Sequence, residues 1–323
     1  MNATLEKGSE VKRSERRIIH IVNPMSGSGR KFRRTRDTVT SLGEELYLTK
    51  REGDCEDFVS EMLVKDPYCH IVAHGGDGTM SEAAGGIVKA GAGETALFSG
   101  VPAGSGNDLL RYLLKEKNVF GRIYPTDLIG VGGRYAINEI NMGFDCTAAS
   151  EAERIRKVPG IGGSFSYIAG VATAFVKKEG FFSKVTLEGV PDQNGEHHDE
   201  TVEDELLLVA LANGQYYGGG FRAAPTADTG DGYLDAIIVK NVPRNVFVSL
   251  VADYKNGSHI DRETGKVAAK FRNFVRYRRC KNFSLTGIRE FSRDGEITPA
   301  NELRAEILPK AILYTPPKSA WLK

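Results

Sequence analysis

Three short glycine- and serine-rich turns, each set where a strand-like apolar run gives way to an amphipathic stretch, restrict this chain to very few folds. The first is Asn23-Pro24-Met25-Ser26-Gly27, between an apolar run at 17–24 and a basic amphipathic stretch at 30–42. The second is His74-Gly75-Gly76-Asp77-Gly78-Thr79, closing a run at 68–74 and opening a helical pattern at 80–89. The third, Pro102-Ala103-Gly104-Ser105-Gly106-Asn107-Asp108, follows a run at 95–101 and precedes another helical start. With a strand pattern at 45–49 and a helical one at 56–64, the order alternates strand and helix. That order predicts a doubly wound α/β domain on a parallel sheet, with all three turns at the carboxyl edge where ligands bind.

Such turns suit phosphate. Glycine lets the backbone approach an oxyanion, the first amides of the following helix are free to donate, and the helix dipole favours negative charge. Asp77 is placed to hold a metal-bound water or a nucleotide hydroxyl, and Thr79 to cap the helix. A single turn of this kind reads equally well as punctuation; three on one edge do not. The chain has neither G-x-x-x-x-G-K-[ST] nor G-x-G-x-x-G, which excludes a P-loop and argues against an ordinary dinucleotide fold.

Beyond about residue 135 the pattern changes. Strand-like runs at 184–187, 205–212, 233–239, 282–285 and 304–308 are separated by Gly-, Asn- and Asp-rich turns, with helices at 164–178 and 242–255. This predicts an antiparallel β-sandwich. The stretch 189–204 is very polar and carries Asn194-Gly195, a hairpin-turn signal. At 323 residues the chain has room for two domains. A net charge of +1 gives no global field for nucleic acid, so no nucleic-acid partner is expected. Cys55, Cys69, Cys146 and Cys280 form no CxxC pair, which fits a reducing cytoplasm. Residues 1–14 read as a flexible tail without a signal peptide. The apolar stretches at 167–176 and 206–212 fall short of the roughly 20 residues a spanning helix needs.

Several other groups draw notice. The basic runs at 30–36 and 272–281 fit solvated faces better than a head-group patch, His197-His198 reads as surface, and Gly218-Gly219-Gly220 as a flexible rim or a strained loop. Asp228-Thr229-Gly230-Asp231-Gly232 has the carboxylate spacing of a hard-cation loop, or of a plain polar turn.

The residues Asn23-Pro24-x-Ser26-Gly27, Gly75-Gly76-Asp77-Gly78-Thr79 with Glu82, Pro102-x-Gly104-Ser105-Gly106-Asn107-Asp108, Asn138 with Gly143-Phe144-Asp145, Asp231-Gly232-Tyr233 and Asp294-Gly295-Glu296 together resemble the diacylglycerol kinase catalytic family. The likeness is to its soluble bacterial branch, related to sphingosine and ceramide kinases, and runs from about residue 18 to the end. It implies an ATP-binding α/β domain at 15–135, completed by 310–323, and a lipid-binding β-sandwich at 136–309, with the active site in the cleft between. It also implies roles. Asn23, Pro24, Met25, Ser26, Gly27, Thr49, Gly75, Gly76, Asp77, Gly78, Thr79, Met80, Ser81 and Ser105 would contact ATP. Asp228, Asp231 and Tyr233 would hold a structural Mg²⁺. Asp294 would be the general base, and Asp108, Asp127 and Glu296 would join the metal and water network around the phosphates.

The expected partner is a lipid met transiently at the membrane surface by a cytoplasmic protein, and a homodimer is compatible with it. The chain departs from the family pattern at His74, Ser81, Gly85, Glu139 and Asn141. Two other readings stand beside the lipid kinase: an NAD kinase, which shares the GGDGT turn, and a catalytically silent lipid- or nucleotide-binding protein. The Asn-Pro-x-Ser-Gly and Pro-x-Gly-x-Gly-Asn-Asp blocks favour the lipid kinase over the first, and intact Asp77, Asp231 and Asp294 over the second.

Overall fold

A computed structural model describes residues 16–24, 29–103, 107–156, 164–176 and 178–322. The expected tail at 1–14, and Met25, Ser26, Gly27 and Ser105, lie outside the described residues. The first layer is β1 (Ile18–Val22), α1 (Gly29–Ser41), β2 (Glu45–Leu48), α2 (Asp54–Lys65), β3 (His70–Gly75), α3 (Asp77–Lys89) and β4 (Leu97–Pro102). The strands are parallel in the order β4-β3-β1-β2.

Strand alternation divides the side chains between two faces. Ile19, Ile21, Ile71 and Ala73 pack with Val59, Leu63, Met80 and Ile87 of α2 and α3 to form the first core. The two helices approach closely at Gly86, where a Cβ would lie 2.7 Å from the Glu56 carbonyl oxygen. The opposite face is more polar. There His20, His74 and Glu44 form a hydrogen-bonded chain that ends on the Trp321 indole N–H.

After β4 a short helix, α4 (Asp108–Arg111), continues into a π-helical turn at Tyr112–Glu116. The remaining elements are β5 (Tyr124–Val131), β6 (Arg134–Ala136), β7 (Glu139–Gly143), α5 (Phe144–Arg156), α6 (Ser164–Val176), β8 (Phe181–Pro191), β9 (His197–Ala212), β10 (Leu234–Lys240), α7 (Arg244–Asn256), β11 (Val275–Cys280), β12 (Asn282–Thr286), β13 (Glu290–Arg293), β14 (Glu296–Pro299) and β15 (Glu302–Tyr314). They build the β-sandwich domain around Val185, Leu187, Val209, Leu211, Phe283 and Leu303. Helices α5 and α7 pack on it through a further aromatic core that includes Phe144, Tyr217, Phe247 and Tyr254.

The domains are continuous through β15. It lies antiparallel to β12 and β5, shifts register between Leu308 and Ile312, and ends parallel to β4 with Leu313 opposite Leu97. The hairpin turn expected at Asn194-Gly195 in the polar stretch 189–204 is present, joining the antiparallel strands β8 and β9. The Asp192 carboxylate accepts the Asn194 and Glu196 amides there, and Gly195 sits at φ 82°. Strands β8 and β9 are exposed on one side, so their polar residues need no burial.

Candidate functional site

The β3–α3 turn is built by glycine. A Cβ on Gly75 would lie 2.4 Å from the Thr79 Cβ, so the turn closes only without a side chain there. The N-cap of α3 is Gly76, in extended conformation, with no side-chain cap. Thr79, expected to cap the helix, therefore does not, and the first amides of α3 stay open for an anion. The Thr49 amide donates to the Val22 carbonyl and the Asn23 amide to that of His74, which places Asn23, Pro24 and Thr49 at the same sheet edge. Met80 is fully buried and its sulfur would crowd a Cβ on Gly100, so its side chain belongs to the core. Glu82 accepts the Gly53 and Cys55 amides and thereby caps α2.

Asp77 opens α3. One carboxylate oxygen accepts the Asp108 amide at 3.3 Å; the other is buried with no partner. Burial, then the charges of Asp108 and Asp294, push its pKa up to about 8. Asp108 accepts the Gly219 amide at 2.8 Å. Gly218, Gly219 and Gly220 all have positive φ, at 60°, 78° and 109°, so this loop offers amides where a chain with side chains would be strained. It joins the sandwich to α4.

Asp294 and Gly295 form the tip of the β13–β14 hairpin, both at positive φ (45° and 91°), as a two-residue turn requires. This tip reaches across the domain boundary. One carboxylate oxygen of Asp294 accepts the amides of Asn138 (3.2 Å) and Glu139 (2.8 Å), the other that of Ile137 (2.8 Å) and the Ser81 hydroxyl. Ser81 thus faces Asp294 rather than the phosphate turn. Burial outweighs these donors and raises Asp294 to about 6. Glu296, one residue beyond the tip, pairs with Arg293 and lies against Gly78.

Two acids that sequence reasoning passed over continue the line. Glu139 is buried, with one carboxylate oxygen unpartnered, and burial with the charges of Asp294 and Asp108 raises its pKa strongly. Asp145, raised to about 6 by burial, accepts the Tyr217 hydroxyl at 2.7 Å, and Tyr217 meets Tyr254 at 2.5 Å. Asp145 sits at the wall of an apolar pocket lined by Phe144, Val171, Leu208, Phe221, Phe247, Leu250 and Val251. Burial is what marks these groups. Their only signals in the sequence were the Gly-Phe-Asp triplet and polar residues in an apolar strand.

The 228–233 loop lies apart. Asp228 pairs with Lys117 and accepts the Tyr124 hydroxyl at 2.7 Å. Asp231 pairs with Arg279, which also stacks 4.3 Å from the centre of the Tyr233 ring. Asp127 accepts the Gly232 and Lys310 amides at 2.7 and 2.6 Å and so fastens the loop to β15. Oxygen donors are the right type for Mg²⁺, but here each loop carboxylate is already balanced by a side-chain cation. Among the described residues no three His, Cys, Asp or Glu converge closely enough to hold an ion. The unpartnered oxygen of Asp77, beside the open phosphate turn, suits an Mg²⁺ arriving with a nucleotide better.

A parallel α/β domain with an open phosphate turn, roofed by a β-sandwich that contributes the acid at its mouth, defines a two-domain kinase. Residues 17–125 match the diacylglycerol kinase catalytic domain, and residues 138–314 the YegS C-terminal NAD kinase beta sandwich-like domain. A protein of Pseudomonas syringae pv. syringae named "Probable lipid kinase YegS-like" is 30% identical over 83% of this chain and 82% of its own. One of the same name in Shewanella frigidimarina is 25% identical over 87% and 89%. A crystal structure of a diacylglycerol kinase from Bacillus anthracis shares the fold with a TM-score of 0.67, at 23% identity over 92% of this chain and 96% of that one. The chain belongs to the YegS-like lipid kinases of the diacylglycerol kinase family. Among the described residues no helix is long and apolar enough to cross a membrane.

Proposed function

We propose that the chain transfers the γ-phosphoryl group of ATP to the hydroxyl of diacylglycerol or a related lipid, with Asp294 as general base. The observation that carries this reading is a line of buried acids. It runs from Asp77 and Asp108 at the phosphate turn, through Asp294 and Glu139, to Asp145 at the apolar pocket. ATP phosphates suit the open amides of α3; the apolar lining beside Asp145 is of the type a lipid chain would meet, but its cavity, about 20 Å³, must open to admit one, and the reacting hydroxyl would fall between. Phosphoryl transfer gains mainly from positioning and charge balance, with a base that receives the hydroxyl proton late. With a pKa of about 6, Asp294 is mostly ionised at neutral pH and still basic enough to take that proton. The Ser81 hydroxyl already donates to it, as an acceptor hydroxyl would.

Mg²⁺ bound with ATP supplies charge neutralisation on the phosphates, and Asp77 is the residue placed to meet it. The protein then acts from the cytoplasm at the bilayer surface, where its lipid lies. A second assignment of the base, to Asp77, has one observation in its favour: its free, buried oxygen and raised pKa. ADP release measured with ATP against lipid mixed micelles and against NAD⁺ tests the proposal. Turnover with lipid and none with NAD⁺ is expected; the reverse would make the chain an NAD kinase.

A further inference from the structure

We infer that the far end of the sandwich, where β10 runs into α7, is the surface on which this protein meets a bilayer of anionic phospholipid. This rests on the lipid-kinase reading and deepens it by assigning the face that touches the membrane.

Strand register fixes where that end lies. Beside the cleft, Ala212 of β9 stands opposite Glu139 and Asp235. About 20 Å further along β9, Leu206 stands opposite Phe181 and Lys240. Strand β7 carries the line of acids in the same direction, from Glu139 opposite Ala212 to Gly143 opposite Leu208, and Asp145 follows. The apolar pocket at Asp145 is lined by Leu208 and by Val171, Phe247 and Val251 of α6 and α7.

Apolar side chains gather in solvent at this end. Val176 closing α6, Phe182 in β8 and Val248 on α7 are 74%, 65% and 58% exposed, three of the five most exposed large apolar residues described. They share one neighbourhood. The Arg244 guanidinium, one turn of α7 before Val248, donates to the Val176 carbonyl at 3.3 Å. Phe182 stands opposite Glu205, which accepts the side-chain amide of Asn241 just before α7. Single exposed apolar residues are ordinary, whereas a cluster marks a contact.

Cations surround the cluster. Lys178 and Arg244 donate to Asn241 and to the Val176 carbonyl, and Arg272 to the Val267 carbonyl, so no carboxylate matches their charges among the described residues. A groove of about 460 Å³ opens at the same end, lined by Lys240, Lys266, Arg272 and Arg276 together with Val202 and Leu206. Asp204 and Glu200 pair with Lys240 and Arg276, but among the described residues no acid lines the groove itself. A phosphodiester head joined to apolar carbon fits this mixture. A nucleic acid would match the cations and leave Val176, Phe182 and Val248 in water. The basic run at 272–281 suits a solvated face by sequence alone; the fold sets Leu206 and the exposed apolar residues beside it.

The test is cosedimentation of the full chain, without ATP, with vesicles of phosphatidylcholine alone and of phosphatidylcholine mixed with phosphatidylserine. Neither head group has a free hydroxyl, so binding reports docking and not acceptor recognition. The mixed vesicles should bind at least about tenfold more tightly, since each cation near an anionic surface contributes about fivefold in affinity, and salt should close the gap. Lys266→Glu with Arg272→Glu should abolish that preference. Val176→Ser with Phe182→Ser should weaken binding to both vesicle types at least about tenfold. Val64→Ser, at a residue 70% exposed on α2 of the other domain, is the control and should change neither. Turnover of a short-chain diacylglycerol dispersed in water should stay at the wild-type level in all three.

Equal wild-type binding to the two vesicle types, or binding unchanged in both paired variants, overturns the inference and leaves the kinase reading to its own assay. Binding to neither, with a dimer in analytical ultracentrifugation that Val176→Ser with Phe182→Ser dissociates, assigns the face to a second copy and also overturns it. Anionic-vesicle binding lost in the variants, with no lipid phosphorylated by the wild type, keeps the docking face and sinks the kinase reading.

Discussion

Replacing Asp294 by Asn separates its two jobs, and the structure gives a magnitude for each. Raising an aspartate from its ordinary value to about 6 costs the folded state about 3 kcal/mol once the group is ionised. The sign follows from proton binding: between the unfolded value near 4 and the folded value of about 6, the folded protein holds more protons. Stability therefore falls as pH rises across that window and is level above it. Asn cannot ionise, so it escapes this loss. It does bring an NH₂ group against amides that now meet carboxylate oxygens, which costs about 1–3 kcal/mol per unsatisfied donor at any pH.

The difference in unfolding free energy, Asp294→Asn minus wild type, should thus move in the variant's favour by about 3 kcal/mol between pH 4 and pH 7. Urea unfolding at several pH values measures it. In the same preparations turnover should drop at least about 100-fold with ATP affinity nearly intact, and wild-type kcat/KM should fall below pH 6. Near-normal turnover would remove Asp294 from the chemistry and leave Asp77 as the base. A pH-independent stability difference would refute the buried-charge argument itself.

Gly75→Ala should weaken ATP binding and cost about 1–3 kcal/mol through overpacking against Thr79, read by nucleotide titration and melting; unchanged ATP affinity would remove this turn from the site. Wild-type melting should be insensitive to EDTA, since Lys117 and Arg279 balance the 228–233 loop, whereas Lys117→Met should lose about 1–2 kcal/mol and regain part of it with added Mg²⁺. His74, held down at about 3 chiefly by burial, and His20, lowered by the same cause, take up protons on unfolding, so stability should decline as pH falls below about 6.5. His74→Gln should make that decline shallower. Trp321→Ala should cost about 3 kcal/mol and release Glu44, measured by urea unfolding.

Much of this protein is written in short stretches of its sequence. The strand-turn-helix units around Gly75 and Pro102 are legible because glycine and proline act on their own backbone and the apolar period acts over one element. The same holds for Asp294-Gly295, whose positive φ values are a property of two residues. These local rules place the phosphate turn and the hairpin tip, and they bound the fold to an α/β domain followed by a β-sandwich.

What they do not contain is distance through space. Asp294 meets Ser81 across 213 residues and Glu139 across 155, and Gly219 meets Asp108 across 111. Only these contacts decide which carboxylates are buried together, and burial is what raises Asp77, Glu139 and Asp294 above ordinary acids. The loop at 228–233 makes the same point in reverse: its sequence spells out a cation loop, while Lys117 and Arg279, remote in the chain, supply the positive charge. Turn geometry is set by neighbours along the backbone, whereas electrostatics and solvation are set by neighbours in the fold. The sequence by itself therefore determined the class of chemistry, and the tertiary structure decided which groups stand ready to perform it.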